Sequence, residues 1–264
     1  MHEFVVAIIQ GIVEGLTEFL PVSSTGHLIL SGDLLNFTGE KAETFEIVIQ
    51  LGAILAVALL YRGRIMDVLN FKAKRQGNQL NLVHIILACL PAMVFGLLLH
   101  GVIKKYLFSP FTVLIGLVIG GIFMIYAEKR NTRITASNMD ELSYKQALSI
   151  GFFQCLALWP GFSRSGATIA GGLLVGTNHK AAADFSFLVA IPMMVMASGY
   201  DMLKSYKFLE ASDIGWFAVG FITSFVVAWL AVVTFLKLLN KVKLTPFAYY
   251  RFIAAALFWI FVLY

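Results

Sequence analysis

Charge is what this sequence has least of. Lys and Arg number 20 and Asp and Glu 15, together 13% of 264 residues, about half the share of an ordinary soluble domain. With 59% hydrophobic residues and a mean hydropathy of +0.83, the chain cannot coat a globule of this size with polar surface, which excludes a soluble fold and implies an integral membrane protein. Cysteine is nearly missing too. Cys89 and Cys155 both sit in apolar segments, far apart and without metal-type spacing, so they read as buried free thiols rather than a disulfide framework. There is no P-loop, no dinucleotide-binding glycine fingerprint and no zinc-helix motif. Nor is any basic run interleaved with aromatic residues, so the net charge of +5 is not the footprint of a nucleic-acid partner; it reads as loop charge flanking a bilayer. The opening "MHEFVVAIIQ" lacks a basic n-region and an A-x-A cleavage site, and Glu14 and Glu18 would interrupt a signal core, so this segment is expected to be retained.

What is present is a set of long uncharged runs. "IILACLPAMVFGLLLHGVI" from Ile85, "LFSPFTVLIGLVIGGIFMIYA" from Leu107 and "IGWFAVGFITSFVVAWLAVVTFL" from Ile214 each approach the roughly 20 residues that a helix needs to cross the hydrocarbon core. An internal repeat organises them. "GIVEGLTEFLPVSSTG" from Gly11 aligns with "GFFQCLALWPGFSRSG" from Gly151, placing Glu14 on Gln154, Ser23 on Ser163, Thr25 on Ser165 and Gly26 on Gly166. Phe45 falls on Phe185 at the same offset, and "KKYLFSPF" (Lys104 to Phe111) resembles "NKVKLTPF" (Asn240 to Phe247).

The chain therefore divides into two repeats within a single membrane domain, 1–130 and 140–264. Each half is one broken segment (4–36 and 146–176) followed by three spanning helices (44–61, 82–103 and 110–127; then 182–200, 214–236 and 246–264). Three crossings is an odd number, so if each broken segment enters and leaves on one side, the second half is inverted. The expected fold is an all-α polytopic membrane protein with an inverted-topology repeat and two re-entrant helical hairpins, a plan in which interrupted segments at matching positions mark the binding site. On this topology thirteen Lys and Arg residues fall on one side and five on the other, which makes the richer side cytoplasmic and opens the first broken segment outward.

Both broken segments carry the polarity that the spans avoid. After Pro21 and "VSSTG", the run "HLILSGDLL" is only about nine residues, near 14 Å at about 1.5 Å per residue, too short to cross about 30 Å. The same holds for "ATIAGGLLVG" after Pro160 and "GFSRSG". Non-helical backbone at membrane depth is tolerated where protein or a watery cavity satisfies it, so both turns are expected to line a cavity. Glu14 and Glu18, spaced i, i+4, share one helix face and repel each other unless a cation or shared protons intervene. The bland alternative is a shallow helix whose carboxylates reach water. Arg164 lies between Ser163 and Ser165 where a short helix begins, with Thr168 one turn on, a set suited to phosphate oxygens; its bland alternative is a purely structural ion pair. A phosphorylated headgroup held between the two tips would meet Arg164 on one side. On the other, divalent metal would sit near Glu14 and Glu18, with His27 placed to take a proton from Ser24 or from water, or to give one to the leaving group.

Elsewhere the expectations are ordinary. His2, His84, His100 and His179 stand near helix ends and read as interfacial; Arg251 is expected to snorkel to the cytoplasmic headgroups. Pro91 and Pro192 should kink their helices, and Trp159 reads as bulk beside the cavity.

The two motifs "EGLTEFLPVSSTGHL" and "LWPGFSRSGATI" resemble those of the undecaprenyl-diphosphate phosphatases of the bacitracin-resistance type, and the likeness covers nearly the whole chain. The resemblance implies a bacterial plasma-membrane enzyme that hydrolyses undecaprenyl diphosphate to undecaprenyl phosphate and phosphate. It implies recycling of the lipid carrier for peptidoglycan, a divalent cation such as Mg2+ or Ca2+, an active site opening to the outer side, and bacitracin resistance on overproduction. By motif position Glu14 and Glu18 resemble the family's acidic pair, Ser24 its nucleophile, His27 its acid or base, and Arg164 its phosphate-binding arginine. Ser23, Thr25, Ser163, Ser165 and Thr168 stand beside them as substrate-binding residues. The expected partners are the polyprenyl diphosphate lipid and the bilayer, and a homodimer is compatible with this plan. The chief rival is a flippase of a phosphorylated polyprenyl lipid, which shares the inverted plan but needs no nucleophile. The phosphatidic-acid phosphatase type needs a histidine where this chain has Ala170, which rejects it.

Overall fold

A backbone surrounded by hydrocarbon has to satisfy its own hydrogen bonds, and this chain does so with helices. The computed structural model describes residues 2–70, 79–107, 109–130, 132–205, 210–238 and 243–263. Among them the only β-type pairing is an isolated bridge between Ala136 and Thr177. Of the loop charges counted above, Lys72, Lys74, Arg75, Lys207 and Lys241 lie outside the described residues.

The helices are α1 (His2–Thr17), α2 (Ser24–Leu34), α3 (Glu40–Leu60), α4 (Arg62–Leu69), α5 (Leu82–Tyr106), α6 (Pro110–Lys129), α7 (Tyr144–Gln154), α8 (Arg164–Leu174), α9 (His179–Ser205), α10 (Ile214–Leu238) and α11 (Thr245–Phe258). Five of them, α3, α5, α6, α9 and α10, are long and apolar enough to cross a membrane, so the protein is a polytopic helical membrane protein. The sixth expected span is a composite: α11 has 14 residues, and a π turn over Trp259–Leu263 continues it. The amphipathic α4, unforeseen in the sequence, docks through an ion pair between Arg64 and Asp140.

Local signals set the helix starts. Ser109 caps α6 by accepting from the Thr112 amide, with Pro110 in the first turn, and Ser143 does the same for α7 with Gln146. Asn81 caps α5 with the help of His84, which corrects the interfacial expectation for that histidine. His84 is buried, and its Nε2 lies 2.8 Å from the Leu142 carbonyl, so the ring ties α5 to the segment before α7. Pro91 and Pro192 lie inside the continuous helices α5 and α9. Cys89 is buried as expected, whereas Cys155 is only half-buried; both are free.

The first helix of each broken segment packs on a long helix of the other half, α1 on α10 and α7 on α5. The contact is close in both places. A Cβ on Gly11 would lie 2.7 Å from the Gly220 carbonyl, and one on Gly151 would lie 2.7 Å from the Ala88 carbonyl. Glycine at these two positions, 140 residues apart, lets backbone meet backbone. Phe45 on α3 and Phe185 on α9 are both fully buried. With α8 packed on α9 and α6, and α1 also touching α3, the two helix breaks are carried to the same place.

Candidate active site

Two helices stop short of the chemistry and two begin at it. α1 ends at Thr17 and α2 begins at Ser24; α7 ends at Gln154, passes through a 3-10 turn over Cys155–Leu158, and α8 begins at Arg164. The residues just before the new helices, Ser23 (φ 73°) and Ser163 (φ 77°), both adopt left-handed backbone. For a non-glycine residue this costs on the order of 1–3 kcal/mol, and such strain persists only where the surroundings enforce it. The same strain occurs at the two positions that the repeat aligns. Ser163 offsets part of the cost by capping: its Oγ accepts from the Gly166 amide at 3.1 Å, while Ser23 makes no side-chain cap bond.

The breaks touch. Arg164 reaches from α8 to Glu18, with Nη2 3.3 Å from Oε1, and its guanidinium stands 5.5 Å from the Phe19 ring. Ser165 Oγ donates to the Leu20 carbonyl at 2.9 Å. On the other side of the carboxylate, Ser24 Oγ donates to Glu18 Oε2 at 2.5 Å. Glu18 therefore holds the expected nucleophile with one oxygen and the expected phosphate binder with the other. Thr168 and Ser186 share a 2.5 Å hydroxyl contact behind Arg164, Arg164 Nη1 donates to the Ser186 carbonyl at 3.4 Å, and Ser163 and Ser165 hydroxyls meet at 3.2 Å. Thr25 is exposed on the first turn of α2.

Glu14, one turn before Glu18, is fully buried, and neither of its carboxylate oxygens has a hydrogen-bond partner among the described residues. Glu18, Glu46 on α3 and Arg164 act on it electrostatically. An orphaned buried carboxylate is costly, and a cation would satisfy it. Among the described residues no group of three or more His, Cys, Asp and Glu forms a self-sufficient metal cage. Mg2+ held by one or two carboxylates and completed by phosphate and water needs no such cage, so the donor set fits a metal that arrives with, or is completed by, a phosphate.

His27 departs from expectation. It does not meet Ser24: its Nδ1 lies 2.8 Å from the Ser23 carbonyl, and its Nε2 lies 2.8 Å from the hydroxyl of Tyr250 on α11, whose ring is parallel to its own at 5.5 Å. A carbonyl can only accept, so Nδ1 carries a proton and, in the neutral ring, Nε2 accepts from Tyr250. The partner of Ser24 is Glu18 because the left-handed turn at Ser23 folds α2 back toward the end of α1. Arg251 corrects a second expectation, since it does not snorkel but is fully buried, with acceptors on α6 and in the second break. Trp159 is more than bulk, its Nε1 donating to the Thr112 carbonyl at 2.9 Å. His179 pairs with Glu128 at 2.9 Å.

Residues 7–257 match the family described as bacitracin resistance protein BacA. The chain belongs to that family. It is 61% identical over 264 residues to a Bacillus cereus protein named undecaprenyl-diphosphatase 1, and 60% identical to proteins of the same name from Bacillus thuringiensis and Bacillus anthracis. In each case all of this chain and all of the relative are covered. Tyr250, Ser186 and Arg251 are the BacA-family chain's site neighbours that sequence reasoning missed or misread; the only local signal was the small-residue spacing Gly116 and Gly120 on α6, which marks a close approach.

Proposed function

We propose that this protein is a multi-pass plasma-membrane phosphatase that hydrolyses undecaprenyl diphosphate to undecaprenyl phosphate and inorganic phosphate. It thereby recycles the lipid carrier of peptidoglycan synthesis and confers bacitracin resistance. One observation carries the reading: Glu18 spans the two breaks, taking the Ser24 hydroxyl on one oxygen and the Arg164 guanidinium on the other. A flippase has no use for a serine whose proton is already pointed at a carboxylate.

In this reading the terminal phosphate of the substrate displaces Arg164 from Glu18 and takes its two-pronged donor set, with the start of α8, Ser163, Ser165 and Thr25 around it. Glu18 accepts the Ser24 proton as Oγ attacks phosphorus, and the bridging P–O bond breaks, its electron pair leaving with undecaprenyl phosphate. Water then adds to the phosphoserine, phosphate departs and Ser24 regains its proton. The base role toward Ser24 expected of His27 passes to Glu18, and His27, whose Nδ1–H is held by the Ser23 carbonyl, keeps Nε2 as a proton acceptor on the same tip. Glu14 and Glu18 would hold a divalent cation, Mg2+ or Ca2+, which when bound neutralises phosphate charge.

The exchange of contacts, α1 on α10 and α7 on α5, supports an inverted repeat with both broken segments re-entrant. The outward mouth rests on the loop charges. Phosphate release from C55 diphosphate by purified protein in detergent, where sidedness is lost, separates hydrolase from flippase. Wild type with metal should release phosphate, and chelator, Ser24→Ala or Arg164→Ala should abolish most of it. No release by wild type with metal present would end the hydrolase reading.

A further inference from the structure

Arg251 is the largest fully buried side chain among the described residues, and it sits on α11, outside both broken segments. Its Nε donates to the Leu117 carbonyl at 3.1 Å, and its Nη2 to the Gly116 carbonyl at 3.1 Å and the Gly161 carbonyl at 2.8 Å. Its Nη1 lies 3.6 Å from Met124 Sδ. Among the described residues no carboxylate pairs with it. A cation within a membrane protein is expensive, and this one is spent on three backbone oxygens and a thioether sulfur. Two of those oxygens belong to α6, and the third belongs to the turn three residues before Arg164.

The space around it is shaped for that purpose. A Cβ on Gly120 would collide with Arg251 Nη2 and stand 2.5 Å from the Phe162 carbonyl. Gly161 has φ +89°, and a Cβ there would collide with the Val113 carbonyl. Lysine would replace the arginine only in part, because a compact ammonium does not reproduce the spread of the planar fork across acceptors on two elements. The preceding residue of α11, Tyr250, holds His27 of the facing break at 2.8 Å.

We propose that α11 is the register clamp of the site. Arg251 is a positioning residue that fixes the Pro160–Ser163 turn and so aims Arg164 at Glu18 and Ser24, while Tyr250 fixes His27 on the opposite tip. The proposal rests on Arg164 being the phosphate binder of the phosphatase reading.

The test is kinetic and uses full-length protein in detergent, with folding checked by monodispersity and thermal midpoint. Phosphate release from C55 diphosphate is compared for wild type, Arg251→Gln, Arg251→Lys, Gly120→Ala, Arg164→Lys and the double variant Arg164→Lys with Arg251→Gln. Folded Arg251→Gln should lose about 100-fold in kcat, the scale on which a misplacement of about 1 Å acts, and Arg251→Lys should restore only part of it. In the Arg164→Lys background the same change should cost less than about threefold, because it acts through a group already altered. General loosening of the fold would instead multiply the two losses, and multiplication overturns the clamp, as does near wild-type kcat in folded Arg251→Gln. Should Arg251→Gln fail to fold, Gly120→Ala, which displaces the guanidinium without removing its charge, is judged by the same two criteria. Tyr250→Phe should cost about tenfold and nothing further once His27 is Ala; multiplication there removes Tyr250 from the clamp. If Arg164→Lys alone leaves kcat unchanged, the phosphate-binding reading falls and takes the clamp with it, a result distinct from every other.

Discussion

Replacing Glu18 with Gln keeps the shape of the side chain and removes its charge. Two charge-assisted hydrogen bonds converge on that carboxylate, from Ser24 at 2.5 Å and from Arg164 at 3.3 Å. An amide oxygen can still accept one of them, but as a neutral acceptor worth about 0.5–1.5 kcal/mol in place of about 1.5–3 kcal/mol. Arg164 loses its ion pair, which is costly in a buried setting, but its side chain retains 15% exposure and the Ser186 carbonyl. Removing one of two acids spaced i, i+4 relieves the repulsion from Glu14. These opposing effects leave fold stability lower by no more than about 2 kcal/mol.

The chemical step is affected far more. A positioned base contributes about 10²–10⁴ in rate, equivalent to about 3–5 kcal/mol of barrier, and Gln cannot take a proton from Ser24. Phosphate release at saturating C55 diphosphate should therefore fall by about 100- to 10,000-fold in Glu18→Gln, while the thermal midpoint in detergent moves by only a few degrees. Glu18→Asp keeps the charge but withdraws it by one methylene, and should fall between the two. If folded Glu18→Gln turned over within about threefold of wild type, Glu18 would not be the group that receives the Ser24 proton, and the step derived above would have to be abandoned.

Ser24→Ala should lose at least about 100-fold in kcat and trap no phosphoenzyme; retained turnover would mean that water attacks directly. Glu14→Gln should raise the Mg2+ or Ca2+ concentration needed for half-maximal activity by about tenfold or more, since it removes one of the two carboxylates offered to the ion; a metal titration reads this directly. Arg164→Ala should cost about 3–4 kcal/mol of transition-state stabilisation, on the scale of other electrostatic clamps, visible as loss of kcat/KM. Gly11→Val should lower stability by about 1–3 kcal/mol through overpacking, because any Cβ there meets the Gly220 carbonyl; thermal unfolding in detergent measures it, and an unchanged midpoint would deny the close approach of α1 and α10.

Pro21 and Pro160, each beside a glycine- and serine-rich turn inside an apolar stretch, are enough to break a helix at each of the two places, and the runs that follow are too short to cross. Those breaks, and the grouping of Glu18, Ser24 and Arg164, could be read from the chain because each lies in a short polar, proline-interrupted motif set between apolar stretches, and the two motifs align as a repeat. Arg251 could not. Six residues into α11, it stands at the depth where a long side chain can reach water, and nothing in its own helix reveals that Gly116 and Gly120 on α6 have cleared a space with open carbonyls beside it. His27 failed for a related reason. Three residues from Ser24 along a helix is a spacing that invites pairing, but its actual partner, Tyr250, is 223 residues away.

Ser23 and Ser163 carry the part of the design that residue types hide. Serine gives no hint of a left-handed backbone, where glycine or asparagine would, yet both adopt it at aligned positions. An accident of packing would not recur at the same offset in surroundings that differ as much as Glu18 and Leu20 do from Leu158 and Pro160. The turn itself is therefore what both halves need, since it swings the following helix so that its amino end faces the opposite break. Once that backbone is in place twice, the side chains are free to differ. Ser163 spends its hydroxyl on capping α8 and leaves the following arginine to reach across, whereas Ser23 caps nothing and the following serine turns its hydroxyl to Glu18. On the proposed reading, a symmetric pair of turns thus yields one tip to bind an anion and one to attack it, a division of labour suited to phosphoryl transfer.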